Sequence, residues 1–230
     1  MTDNIYNYER FSPESYDFTK QVGLKIGDTL PAFSLQGLDG KNVSLNNFAG
    51  QVMVIETGSI SCPLYIGKIK PMNTLVQENP DVAFLVIYIR EAHPGKKIPN
   101  HQIQSEKAKN ANRLKDKEPE NRTILIDTLK GDIHKKLGLL PNMAYVIGAD
   151  RKVLYRADWN IPSRIAEVLT AIKSNSPIPN EPADFTPVAP FYSVRVLARA
   201  GGLAAVWEFI SHLPKLMKQH KTHLKNRAAK

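Results

Sequence analysis

The sequence predicts an α/β domain with an N-terminal β-hairpin, a mid-chain insertion and a helical extension at its C-terminal end. Three observations predict it. Val82 to Ile89 is an unbroken apolar run rich in branched side chains, the pattern of a strand buried on both faces of a parallel sheet. A second apolar run, Val52 to Ile55, leads through Gly58 into Cys62-Pro63, a strand-to-helix junction. Segments of alternating hydrophobicity flank Asp39-Gly40 and Ala149-Asp150, marking a hairpin towards each end of the domain.

Taken in order, residues 1–22 are polar, sprinkled with aromatics and without a period, and read as an arm lying on the domain, which spans 23–174. Residues 32–45 supply the two short strands around Asp39-Gly40, and Val52–Ile55 the core of the next strand. After Pro63 the chain reads as a helix that Pro71 kinks or restarts, because proline lacks an amide donor and its ring crowds the preceding turn. The Val82–Ile89 strand follows. Residues 94–122 form the charge-rich insertion: a loop through Ile98-Pro99, then a helix from about Gln104 to Lys117. Thr123 to Asp127 is a fourth strand, followed by a short helix around His134 to Leu137. Pro141 precedes the second hairpin, and Ser163 to Lys173 is helical with Ser163 as its cap. Pro177, Pro179, Pro182, Pro187 and Pro190 make 175–190 a linker. Residues 191–230 read as helix, weakened at Gly201-Gly202 and interrupted at Pro214. This order of elements is that of a thioredoxin-like fold. There a helix starts where Cys62-Pro63 stands, and a proline, commonly cis, stands where Pro141 does.

Composition narrows the function classes. Apolar residues make up 42% and charged residues 23% of the 230, ordinary for a globular chain and unlike a disordered one or a disulfide scaffold. The net charge is +9, yet residues 191–230 hold eight Lys or Arg against the single acid Glu208, leaving only +2 for the rest. A uniformly basic nucleic-acid-binding surface is therefore not expected. No stretch approaches the ~18 uncharged apolar residues of a membrane span, and the first residues contain no apolar signal region, so a cytoplasmic location is expected. One cysteine, Cys62, rules out an internal disulfide, a CxxC dithiol and a single-chain cysteine-cluster metal site; no metal is expected. An unpaired thiol also suits a reducing compartment.

What surrounds that thiol matters more than its solitude. A cysteine at a helix start lies beside unpaired amides and the positive end of the dipole, which favour the nucleophilic thiolate. A cysteine that merely fills core space would have apolar neighbours, whereas Ser59 and Ser61 flank Cys62 and can donate to an anion. Arg90-Glu91-Ala92-His93-Pro94 directly follows the Val82–Ile89 strand, and chemistry in open α/β sheets collects at the carboxyl ends of strands. Neighbouring strands are ~5 Å apart, so His93 is expected to approach the thiol, with Glu91 orienting or protonating it. His101 lies on the same excursion. His134, His212, His220 and His223 read as solvated residues without a chemical role.

Gly58-Ser59-Ile60-Ser61-Cys62-Pro63, the strand that runs into Glu91-Ala92-His93-Pro94, and Ile98-Pro99-Asn100-His101 together resemble the iodothyronine deiodinases, over roughly residues 40–172. The resemblance implies a thioredoxin-like fold related to peroxiredoxins. It sets Cys62 in the place of the family's selenocysteine nucleophile, Ser59 in that of a conserved serine and Ser61 in that of a threonine. Glu91 and His93 match the proton-handling pair, and His101 a further active-site histidine. There are three departures: cysteine is a weaker nucleophile towards iodine than selenocysteine, the vertebrate members' N-terminal membrane anchor is not seen, and Asp158 occupies the place of the substrate-binding arginine, with Arg156 two positions away.

The expected function is that of a thiol-dependent oxidoreductase. Cys62 attacks iodine on an aromatic ring, or another soft electrophile, while His93 with Glu91 and His101 delivers a proton to the leaving carbon. No cofactor is expected. An oxidised Cys62 without an internal partner needs an external thiol donor or a second chain, as in a homodimer. Lys96 and Lys97, at the start of the basic insertion, are expected to lid the thiol and meet a substrate carboxylate, with Arg156 a further substrate contact. Two alternatives stand beside this reading. A one-cysteine, peroxiredoxin-like peroxidase would attack a peroxide instead, although Ile55 stands where its motif has proline. A non-enzymatic thioredoxin-like module would work through the basic segment, whose Lys215, Lys218, Lys221 and Lys225 accompany Leu213, Leu216, Met217 and Leu224, binding anionic lipid or an acidic partner, unless that helix simply packs back on its own domain.

Overall fold

The lack of any polar position between Val82 and Ile89 has a simple cause. Leu85, Ile87 and Ile89 belong to one hydrophobic cluster and Phe84, Val86 and Tyr88 to the clusters on the other side of the sheet, so both faces of this strand are buried. A computed structural model describes residues 6–15, 22–179 and 187–228. Its seven strands are β1 (Ser34–Gly37), β2 (Asn42–Ser44), β3 (Met53–Gly58), β4 (Ala83–Tyr88), β5 (Thr123–Ile126), β6 (Ala144–Ile147) and β7 (Val153–Ala157), arranged in the order β2-β1-β5-β4-β3-β6-β7. The central β3, β4 and β5 run parallel, and the two hairpins add antiparallel strands at the edges. The fold is α/β and thioredoxin-like, as the element order predicts.

Among the described residues six α-helices accompany the sheet: α1 (Pro63–Glu78), α2 (Gln104–Lys117), α3 (Asp132–Leu137), α4 (Pro162–Lys173), α5 (Pro190–Gly201) and α6 (Leu203–Ala228). On one face α1, α2 and α5 meet through Tyr65, Ile66, Ile69, Leu114, Val196 and Ala200. The other face is closed by Ile133 and Leu137 of α3, by Phe11 from the N-terminal residues, and by Phe209 and Leu216 of α6. The C-terminal helices therefore pass from one side of the sheet to the other. Gly202, at φ +75, makes that turn in a backbone region that side chains disfavour.

Several local expectations need correction. Pro71 does not restart its helix; α1 runs on through it, because Ile66 and Ile69 before it and Met72 and Leu75 after it are buried on the same helix and outweigh one lost hydrogen bond. Pro214 likewise lies inside α6. Ser163 is not a cap: Pro162, with its fixed φ, takes the first helical position and Ile161 precedes it. The described peptide bonds are all trans, that before Pro141 included. His134 is not solvated but fully buried, with Nδ1 2.9 Å from the Tyr6 hydroxyl and Nε2 3.0 Å from the Leu140 carbonyl. The carbonyl requires the proton on Nε2, so Tyr6 donates to Nδ1 and pins the N-terminal residues to the domain. Arg90 assists by donating to the Tyr6 carbonyl at 2.7 Å. Pro182 of the linker lies outside the described residues.

Candidate active site

Cys62 stands at the N-cap of α1, where extended φ and ψ of −96° and 107° turn the chain out of β3 and Pro63 starts the helix. Close packing enforces this corner, since a Cβ on Gly58 would lie 2.5 Å from the Tyr65 ring. The sulfur is buried, 1% exposed, in the apolar cluster that includes Ile60, Ile66, Ala92 and Ile98. Burial pushes the Cys62 thiol up to about 12; the amides of Tyr65 and Leu64 and the nearby Lys68 oppose the shift without overcoming it. The resting group is thus a thiol, not the expected thiolate. The reason is cover: α5 brings Val196 and Ala200 to the same cluster, and Arg199 fastens it by donating to the Ile60 carbonyl at 2.8 Å and pairing with Glu118 at 2.6 Å.

Glu91, at the end of β4, organises the polar side of the site. Its Oε1 accepts from the Tyr88 hydroxyl at 2.6 Å, His101 Nε2 at 3.0 Å and Asn110 Nδ2 at 3.2 Å. Its Oε2 accepts from the Ser61 amide at 3.2 Å and the Ser61 hydroxyl at 2.5 Å. Burial opposes its charge, yet His101, Ser61 and Tyr88 hold the carboxyl below the usual range. A carboxylate at Oε1 requires a proton on His101 Nε2, while Nδ1 is buried without a hydrogen-bond partner among the described residues. Ser59 and Ser61 also tie the loops together: their hydroxyl oxygens accept from the Ala92 and His93 amides at 3.1 and 3.2 Å.

The partner of Glu91 is therefore His101, not His93 as expected. The His93 ring lies between Phe11 and Phe209, with centroids 4.3 and 5.3 Å away. Burial drives its pKa down to about 3, so it is neutral throughout the physiological range. Among the described residues neither imidazole hydrogen-bonds the sulfur.

The sequence profile of the iodothyronine deiodinases matches residues 10–168, over half of the chain. The chain belongs to the iodothyronine deiodinase family. Solved structures similar to it show the fold. A hypothetical protein from Sinorhizobium meliloti 1021 aligns with TM-score 0.57 and 11% identity over 70% of this chain and 91% of its own. A DsbE-like thiol:disulfide interchange protein from Chlorobium tepidum gives 0.52 and 18% over 66% and 98%. A thiol peroxidase from Chromobacterium violaceum gives 0.50 and 18% over 69% and 94%. No curated protein matches the chain. Membership of the deiodinase family supports a thiol oxidoreductase.

In this deiodinase-family chain the residues expected to bind substrate are not gathered with the others. Lys96 and Lys97 are exposed, and the Lys97 and Ile98 amides donate to the Ala200 carbonyl at the end of α5. Arg156 is engaged elsewhere: it donates to the carbonyls of Val22 and Leu24 at 2.9 Å each and pairs with Asp158 at 3.0 Å, clamping the segment that enters the domain. Other residues close to the site gave no such signal in the sequence. Tyr88 and Asn110 read as strand filler and helix surface, yet both donate to Glu91. Beneath Cys62, Arg122 bridges the buried Glu56 and Glu120, Asn142 donates to Glu56 at 2.5 Å, and Lys68, drawn down to about 8 by burial, bonds Asn142 at 3.4 Å and the Asn160 carbonyl. The available signal for Glu56 was an acid directly following the apolar run of β3, a strand buried at every position.

Proposed function

We propose that the protein reductively removes iodine, or a comparably soft leaving atom, from an aromatic ring, with Cys62 as nucleophile. The observation that carries this reading is the buried Glu91 carboxylate, which gathers Ser61, Tyr88, His101 and Asn110 beside the cysteine. Fold stability alone gives little reason to bury that charge, because an apolar core of equal volume is as stable or more so.

The chemistry balances as follows. The sulfur attacks iodine, the C–I bond breaks, and its electron pair remains on carbon, which takes a proton; the protein is left with a sulfur–iodine bond. An external thiol displaces iodide to give a mixed disulfide, and a second thiol releases Cys62 and leaves a disulfide of the donor. The thiol proton that must leave equals the proton the carbon requires. Ser61 connects the cysteine loop to the Glu91–His101 pair, and His93 is a neutral base whose pKa rises towards its ordinary value when Phe11 and Phe209 give way to water. Retraction of α5, which covers Cys62, has the corresponding effect on the thiol in the opposite sense, lowering its pKa towards the value at which thiolate forms.

Mass spectrometry of Cys62 after separate exposure to an iodinated phenol and to hydrogen peroxide tests the proposal. We expect the iodinated phenol to convert Cys62, in the presence of a monothiol, to the mixed disulfide. A sulfenic acid from peroxide with no reaction towards the phenol would transfer the protein to the peroxidases.

A further inference from the structure

We infer that the outer face of α6 docks on an anionic lipid surface, independently of the thiol chemistry. The inner face of this helix is occupied: Phe209 and Leu216 pack on the core and His212 lies against Phe11, with ring centroids 6.0 Å apart. Elsewhere on the helix, Leu203, Trp207, Ile210, Leu213 and Met217 remain 82%, 73%, 49%, 41% and 46% exposed. Their spacing of three or four residues places them along one stripe. Single apolar residues on a surface are ordinary, whereas a contiguous stripe with an exposed indole marks a contact site.

Charge selects the occupant. Lys218 is exposed, Lys215 pairs with Glu14, and from Lys215 to Lys230 the sequence holds six cationic residues and no acid. A second copy would bring together two extensions of net charge +7 each, and like charges oppose that association. An anionic bilayer opposes neither feature: the apolar stripe enters the acyl boundary, the tryptophan sits at headgroup level, and the ammonium groups meet the lipid phosphates. Among the described residues no helix is long and apolar enough to cross a membrane, so α6 lies in the interface plane and does not span it.

The test is co-sedimentation of the full chain with vesicles of phosphatidylcholine alone and of phosphatidylcholine mixed with phosphatidylglycerol. Binding to the mixed vesicles is expected to be at least about tenfold tighter than to the neutral ones, and the double substitution Trp207→Gln, Ile210→Gln is expected to weaken it about tenfold. Both positions are exposed, so the fold, checked by circular dichroism, is unaffected. Absence of binding to the anionic vesicles, equal binding to both kinds, or undiminished binding by the variant overturns the inference. So does a wild-type dimer that the variant converts to monomer, because the stripe would then belong to a second copy.

Discussion

Cys62, Glu91 and His93 illustrate how environment, not residue type, decides what a side chain does. A thiol at a helix start should ionise easily, yet removal of water raises its pKa from 9.0 to about 12, so the helix amides lose to desolvation. Iodoacetamide at pH 8 is therefore expected to alkylate native Cys62 at least about a hundredfold more slowly than the same cysteine in the urea-unfolded chain. Equal rates would show that the sulfur is not shielded. His93 carries a pH signature of its own. Its pKa falls from 6.5 when unfolded to about 3 when folded, so between these values only the unfolded chain binds the proton. Stability contributed at this site is intact above pH 6.5 and declines as pH falls towards 3. Between pH 6.5 and 5 the loss is at most about 2 kcal/mol. Urea unfolding of the wild type and of His93→Gln at both pH values should show a shallower pH dependence in the variant.

At the scale of elements, the helix that bears the cysteine and the strands beneath it rest on contacts of opposite legibility. The run of α1 through Pro71 costs it one backbone hydrogen bond at an exposed position, so Pro71→Ala should stabilise the protein by about 1–3 kcal/mol, read as an upward shift in the urea midpoint. Arg122 does the reverse: it bridges two buried carboxylates, and Arg122→Leu should cost about 3–5 kcal/mol by removing the guanidinium that offsets both charges. The strands, the hairpins and the insertion helix were legible because local periodicity and turn residues determine them; α2 begins and ends where its sequence pattern does. What could not be read were groups assembled from distant parts of the chain. Phe11, His93 and Phe209 meet across most of the sequence, as do Tyr6 and His134, and no local pattern encodes such a meeting. Cys62, Ser61, Glu91 and His101 were recognisable because each stands at a strand end or on the loop that follows it. Which histidine Glu91 would take was not, since His93 is nearer in sequence and His101 nearer in space.

For the whole molecule, Phe11 before the domain and helices α5 and α6 after it converge on the candidate site. Phe11 covers His93 from one side and α6 covers it from another, while α5 shares the apolar cluster that holds the sulfur. The C-terminal helices are thus part of what covers Cys62 and His93, and the proposed reaction requires the α5 cover over the sulfur to yield. The most direct measurement of the central claim is iodide release from an iodinated phenol under excess dithiol, comparing the wild type with Cys62→Ser and Glu91→Gln. Release by the wild type, background release by Cys62→Ser, and a rate reduced at least about tenfold in a folded Glu91→Gln protein are the predicted results. Iodide set free at an undiminished rate by Cys62→Ser would contradict it.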